Sequence, residues 1–168
     1  MIEKFKTLFF VKSSLISLYL ALTIPIPFIS IDKLKIFSTF IFVLGLYLVN
    51  VITSEYVETS DNKISYKTSF ISKILGRKNW EISWKDIKLI KTLPTSQGSK
   101  VHYFTTNKGD NLLIPQRVEN FKRFISIIYE NTKLDVKEIS YISPLWTYKL
   151  LTFLSLLMII GEIFAFLS

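Results

Sequence analysis

Charged residues vanish from three stretches of this chain, 13–31, 36–54 and 150–168, the last interrupted only by Glu162. Each stretch is 19 residues long, ~28 Å of helix at the α-helical rise, which matches the hydrocarbon thickness of a bilayer. Pro25 and Pro27 cannot continue a regular helix, so the first helix is predicted to kink or end near Ile24. It then starts earlier, near Phe9, with Lys12 snorkelling to the interface. Only Asp32–Lys35 separates this span from the next, which forces the two, about 9–31 and 36–54, into an antiparallel helical hairpin. Ser38, Thr39, Gly45 and Asn50 are its small or polar positions and are expected on the packed face. The third span, about 149–168, is introduced by Trp146, Tyr148 and Lys149, all interface-seeking residues. Lys4, Lys6 and Lys12 form a basic leader like that of a signal peptide. No small-x-small site precedes Asp32, however, and a second span follows at once, so a retained anchor is the reading.

Between the spans the period changes from helical to two. Trp80, Ile82 and Trp84 alternate with Glu81, Ser83 and Lys85, predicting a half-buried strand with an aromatic inner face. Ile87, Leu89 and Leu93 continue an apolar run as far as Pro94. Upstream, 56–60 and 63–70 read as a hairpin about Asp61-Asn62, residues that tolerate positive φ. Residues 71–79 read as a loop in which Ile71, Ile74 and Leu75 lie among Lys73, Arg77 and Lys78. Downstream, Ser96–Ser99 is a turn, and 101–106 with 111–114 make a second hairpin. Val118, Phe121, Ile125, Ile128 and Tyr129 recur at three- and four-residue spacing, predicting an amphipathic helix over about 117–131. The expected organisation is a membrane hairpin (1–54), a β-domain (55–138), and a linker with the third helix (139–168). The core is expected at Trp80, Ile82, Trp84 and Ile87.

The composition is 49% hydrophobic with a net charge of +8, and the apolar residues sit mainly at the two ends. In a chain with spans, the basic excess points first to topology and anionic headgroups, then to nucleic acid. Lys4, Lys6, Lys12, Lys63, Lys67, Lys133, Lys137 and Lys149 gather on one side of the spans, against Lys33 and Lys35 on the other. The N-terminus and β-domain are therefore expected in the cytoplasm, with the 32–35 turn and the C-terminus outside. The chain has no cysteine, which excludes disulfides and thiolate metal sites.

Catalytic chemistry is not expected, nor a cofactor or metal. His102, the single histidine, lies on a predicted strand with no motif tying it to a partner, and reads as a hydrogen-bonded strand residue. Asp86 reads as the cap of the turn after Trp84. Gly76 and Gly109 are isolated turn glycines and make no phosphate loop. Trp80 and Trp84 share a face with Ile82, which assigns them to the core rather than to a base-stacking platform, so nucleic acid is not an expected partner. Lys73, Arg77 and Lys78 form the candidate binding cluster. Glu162 is expected to face the helix bundle within reach of Ser38, Thr39 or a lysine, because an ionised carboxylate in lipid is costly.

The hairpin, the loop reaching Gly76-Arg-Lys, the element Trp84-Lys-Asp-Ile87, the second hairpin ending Leu-Ile-Pro115 and the helix opening near Asn120-Phe121 together resemble the bacterial pleckstrin-homology-like (PH-like) family. Members of that family often sit beside two transmembrane helices. The resemblance covers roughly 55–132 and the preceding hairpin. It implies an α+β membrane protein: three transmembrane helices with a PH-like β-barrel or sandwich capped by a C-terminal helix. Phosphoinositide-binding PH domains place basic residues on the loops after their first strands; the order of Lys73, Arg77 and Lys78 departs from that motif. The chain is also similar to photosystem I assembly proteins of cyanobacteria and plastids, which set a β-rich domain after two membrane helices, and it departs from them in its third span. The expectation is a non-enzymatic interaction module in the cytoplasmic (inner) or thylakoid membrane, binding membrane lipids or a membrane-protein partner. The alternative is an assembly factor for a membrane complex. Fold alone decides neither.

Overall fold

The computed structural model describes residues 2–167, and the chain divides into two compact units. One runs up to Leu8 and resumes over Ser54–Pro144; the other holds Phe9–Thr53 and the chain from Leu145 onward.

The first unit is built on two antiparallel sheets. Strands β1 (Glu3–Lys6), β2 (Tyr56–Thr59), β3 (Lys63–Lys67) and β4 (Trp80–Ser83) form the first, in that order. A single 3-10 turn, Trp84–Asp86, leads to the second, β5 (Ile87–Pro94), β6 (Lys100–Thr106) and β7 (Asn111–Leu113), again in chain order. Strand β1 departs from the expectation of a basic leader. Its Glu-Lys-Phe-Lys alternation points Phe5 inward, where it is 3% exposed and meets the Phe124 ring at 5.3 Å. Glu3, Lys4, Phe5 and Lys6 pair with Thr59, Glu58, Val57 and Tyr56. The sheet is thus assembled from residues on both sides of the first two long helices.

Other boundaries shift for local reasons. β3 ends at Lys67 instead of Phe70, because Ser69 caps a short helix, α4 (Phe70–Ile74), inside the expected loop. The amphipathic helix α5 (Phe121–Thr132) starts later than 117. Val118 is engaged in a bridge to Thr7, and Asn120, at φ 49, turns the chain into the helix. α5 buries Phe121, Phe124, Ile127 and Ile128. The 139–143 linker is not free of the domain: Ile139 is 7% exposed, and Tyr141 stacks on Phe121 at 4.4 Å. Both join the core, as do the buried Ile82, Trp84 and Ile87. Trp80 is half-buried, its ring at the edge of Phe104. The Trp84 indole N–H donates to the Ser60 carbonyl at 2.8 Å, which satisfies the polar end of a buried indole.

The second unit holds three helices long and apolar enough to cross a membrane: 9–29, 32–52 and 145–166. The first is broken, as its prolines require, into α1 (Phe9–Thr23) and α2 (Pro25–Ile29). The connector is shorter than expected. α3 (Asp32–Ile52) already includes Asp32–Lys35, with Asp32 in its first turn, where a carboxylate meets the positive end of the helix dipole. Helix α6 (Leu145–Leu167) packs along α1, while α3 packs on α1 and α2. Lys149 Nζ lies 4.9 Å from the Phe10 ring centre and Phe166 lies 5.1 Å from Phe28, so α1–α2 and α6 run parallel. Ser14, Ser17 and Ala21 of α1 and Ser155 of α6 are among the buried small residues of this unit. Tyr19 reaches across to α3 over Gly45 and donates to the Phe42 carbonyl at 2.8 Å.

Candidate functional site

The segment between β3 and β4 carries the expected basic cluster and holds a defined shape. Thr68 opens it, and the Asn79 side chain closes it by accepting both the Thr68 N–H and its hydroxyl, at 2.8 and 2.9 Å. Ser69 caps α4 by accepting the Ser72 N–H at 3.1 Å. Gly76, at φ 86, terminates it in the left-handed conformation that glycine adopts without strain. Ser72 is fully buried on the inner side of this turn. On the outer side stand Phe70, Ile74 and Leu75, which are 76%, 70% and 64% exposed.

The three cations of the cluster are not equivalent. Arg77 turns inward, donating to and ion-pairing with Glu55, whose second carboxylate oxygen accepts the Tyr66 hydroxyl at 2.6 Å. Burial, reinforced by the neighbouring Glu55 carboxylate, drives the Tyr66 phenol far above the usual range, so it stays a donor. Arg77 is therefore a brace between the segment and the residue that precedes β2. Lys73 and Lys78 are exposed, and neither side chain makes a hydrogen bond or ion pair among the described residues. Glu55, Tyr66 and Phe70 were not singled out as site residues from sequence. The signal for Phe70 was present: Ser69 and Gly76 bound six residues with the N-cap and C-cap chemistry of a short helix.

His102 is fully buried on the inner face of β6. Its Nδ1 lies 2.9 Å from the Thr92 hydroxyl, and its Nε2 is buried without a partner. Burial lowers its proton affinity; the Glu138 carboxylate opposes this in part, and Lys100 lowers it a little further. Asp86 does not cap its turn through its side chain; its backbone carbonyl accepts the Asn107 N–H at 2.9 Å. Its side chain lines an open cleft of about 480 Å³ with Lys63, Glu81, Lys108 and Asp110. There the charges of both signs offset each other, and Lys63 is already paired with Glu81 at 2.8 Å. Among the described residues no cluster of three or more histidine or acidic side chains is placed to hold a metal.

In the helical unit, Ser38 and Thr39 both donate to the Lys35 carbonyl of their own helix, at 3.0 and 2.7 Å. Neither is hydrogen-bonded to Glu162, whose Oε2 is buried with no partner. Phe166, one turn beyond Glu162 on the same face of α6, touches Phe28 of α2. That face accordingly looks toward the proline-broken helix.

No family model matches the chain. It is similar to an uncharacterized protein, slr0269, of the cyanobacterium Synechocystis. The two are 29% identical over 155 residues, which covers 88% of this chain and 77% of the relative.

Proposed function

We propose that this protein is a non-enzymatic interaction module of the PH-like kind, anchored in a membrane by three helices and working at the bilayer surface. The observation that carries the reading is the interruption of one sheet by two spans. β1 and β2 are hydrogen-bonded neighbours, yet α1, α2 and α3 lie between them in the chain. The β unit therefore cannot complete its core apart from its anchor. Seven strands divided four and three, followed by a helix that covers the core, support the PH-like assignment. Positive-inside counting supports a cytoplasmic β unit.

The chain has no cysteine, so a single introduced thiol reports topology cleanly. Lys108→Cys, at an exposed turn, is expected to react with a membrane-impermeant maleimide only from the cytoplasmic side, and Lys33→Cys only from the other. Release of the chain from membranes by alkaline carbonate would refute anchoring. The alternative reading is an assembly factor for a membrane complex. Extraction in mild detergent separates the two: one stoichiometric membrane complex supports assembly, whereas diverse or absent partners support the interaction module.

A further inference from the structure

We propose that α4 and its flanking turns form a wedge that docks on an anionic bilayer surface. Phe70, Ile74 and Leu75 enter the interface, and Lys73 and Lys78 meet headgroup phosphates. The proposal deepens the reading above and rests on it, since the helices must span a membrane for the surface to be at hand.

Three independent features converge on this segment. The first is exposure. A folded domain buries large apolar side chains, yet these three are turned outward together by a helix whose opposite side is fixed by buried Ser72. The second is charge. Residues 68–80 contain three cations and no acid, so the wedge complements a negative surface. The third is register. Lys6 of β1 pairs with Tyr56 of β2, and Tyr56 pairs with Lys67 of β3. α1 starts at Phe9, just after Lys6, and α3 ends at Ile52, just before Tyr56. Each link reaches at most ~14 Å when fully extended. The chain leaves β3 for α4 from this same rung. The strand end that carries the wedge is thus the end tied to both spans.

The wedge is also braced. Asn79 clamps its base and Arg77 is pinned to Glu55, three residues past the end of α3. A segment ordered before docking loses little conformational freedom on contact. Arg77 contributes that order and not headgroup affinity, which leaves Lys73 and Lys78 as the contacting cations.

The test uses the full chain in lipid nanodiscs, with an environment-sensitive fluorophore on Ile74→Cys and, for comparison, on Asn62→Cys at the opposite end of the β2–β3 hairpin. Discs of phosphatidylcholine alone and of phosphatidylcholine with phosphatidylglycerol each carry a lipid-borne quencher; iodide serves as the aqueous quencher. Position 74 is expected to be quenched from the lipid and shielded from iodide, more strongly in the anionic discs, with position 62 showing the reverse. Lys73→Glu and Lys78→Glu are each expected to weaken docking by about five-fold or more on the anionic discs, an effect that salt removes. Arg77→Lys, which keeps the charge but loses the forked brace, is expected to broaden the position-74 signal without removing its lipid preference. Failure of the chain to incorporate into discs overturns the anchored reading and the wedge with it. If the chain incorporates but position 74 is reached by iodide and not by the lipid quencher, the wedge alone is overturned. Shielding from both quenchers assigns the surface to protein, and equal quenching in the two lipids removes the anionic preference; each of these also overturns the proposal.

Discussion

Phe5→Ala should unfold the β unit although it changes a residue ahead of the first long apolar helix. Phe5 is 3% exposed, packs against Phe124 at 5.3 Å and sits at the centre of the β1–β2 pairing opposite Val57. Truncating a buried phenylalanine to alanine costs about 3–5 kcal/mol, through lost burial and the cavity left behind. Domains have about 5–15 kcal/mol in total, so most of the margin of a unit this small is at stake. β1 is also an outer strand, and losing it would open the β2 edge to water. Hydrogen exchange of the full chain in detergent micelles reads this directly: amides of β2, β3 and β6 should lose protection while those of α1 and α6 keep it. A fragment covering 55–138 should accordingly fail to show the cooperative melt of the whole chain. If Phe5→Ala leaves β-unit protection unchanged, or if that fragment melts cooperatively at the full-chain temperature, β1 is not part of the core.

Further outcomes follow from other contacts. Trp84→Ala should also cost about 3–5 kcal/mol, whereas Trp84→Phe, which loses mainly the bond to Ser60, should cost about 1 kcal/mol; the two melting temperatures, compared in one buffer, separate burial from hydrogen bonding. His102 binds its proton less readily folded than unfolded, so its contribution is intact above the unfolded value of about 6.5 and is lost as pH falls below it. His102→Leu should flatten the melting temperature across that window, and an unchanged slope would assign it to another group. A methyl at Gly45 would overlap the Tyr19 hydroxyl, so Gly45→Ala should break the bond to Phe42 and cost roughly 1 kcal/mol, seen as earlier thermal aggregation in detergent. A cysteine pair at 28 and 166 should cross-link in native membranes and one at 38 and 162 should not; the reverse result would seat α6 against the start of α3.

The parts of the β unit that were legible in the sequence are those where one periodicity dominates. Trp80, Ile82 and Trp84 alternate cleanly, and the Asp61-Asn62 and Gly98 turns carry their own chemistry, so β2 to β7 fall near their expected places. Three signals were overridden. Glu3-Lys-Phe-Lys6 is too short and too basic to read as a strand; what makes it one is Val57, more than fifty residues away, and no local pattern encodes that partner. Phe70 continues the alternation of Ile64 and Tyr66, but the Ser69 cap bends the chain before that alternation can be used. Ile139 and Tyr141 sit in a polar stretch yet join the core, Tyr141 by stacking on Phe121. Within the candidate site, the positions of the cations could be read from the sequence. Their division of labour could not, because it depends on Glu55, which the β2–β3 register brings beside Tyr66 and Arg77.

Among the helices, the break in the first was legible and the packing partners were not. Pro25 and Pro27 place the break at Ile24 from backbone chemistry alone. The sequence expectation sets Glu162 near Ser38, Thr39 or a lysine; its buried Oε2 makes no hydrogen bond among the described residues, and both hydroxyls bond the Lys35 carbonyl of their own helix. Which helix it faces depends on the packing order. α1 lies along α6 by virtue of buried Ser14, Ser17 and Ser155, small residues that let backbones approach, and this turns the Phe166 face toward α2. The same order bears on how the sheet closes. β1 and β2 are separated by the whole hairpin, a long loop to close if it were flexible. With α3 held against α1 by Tyr19, Gly45 and Phe42, the outer ends of the hairpin lie side by side, and the β1–β2 pairing becomes effectively local. The hairpin is thus the connection that brings the first strand of the β unit to its neighbour.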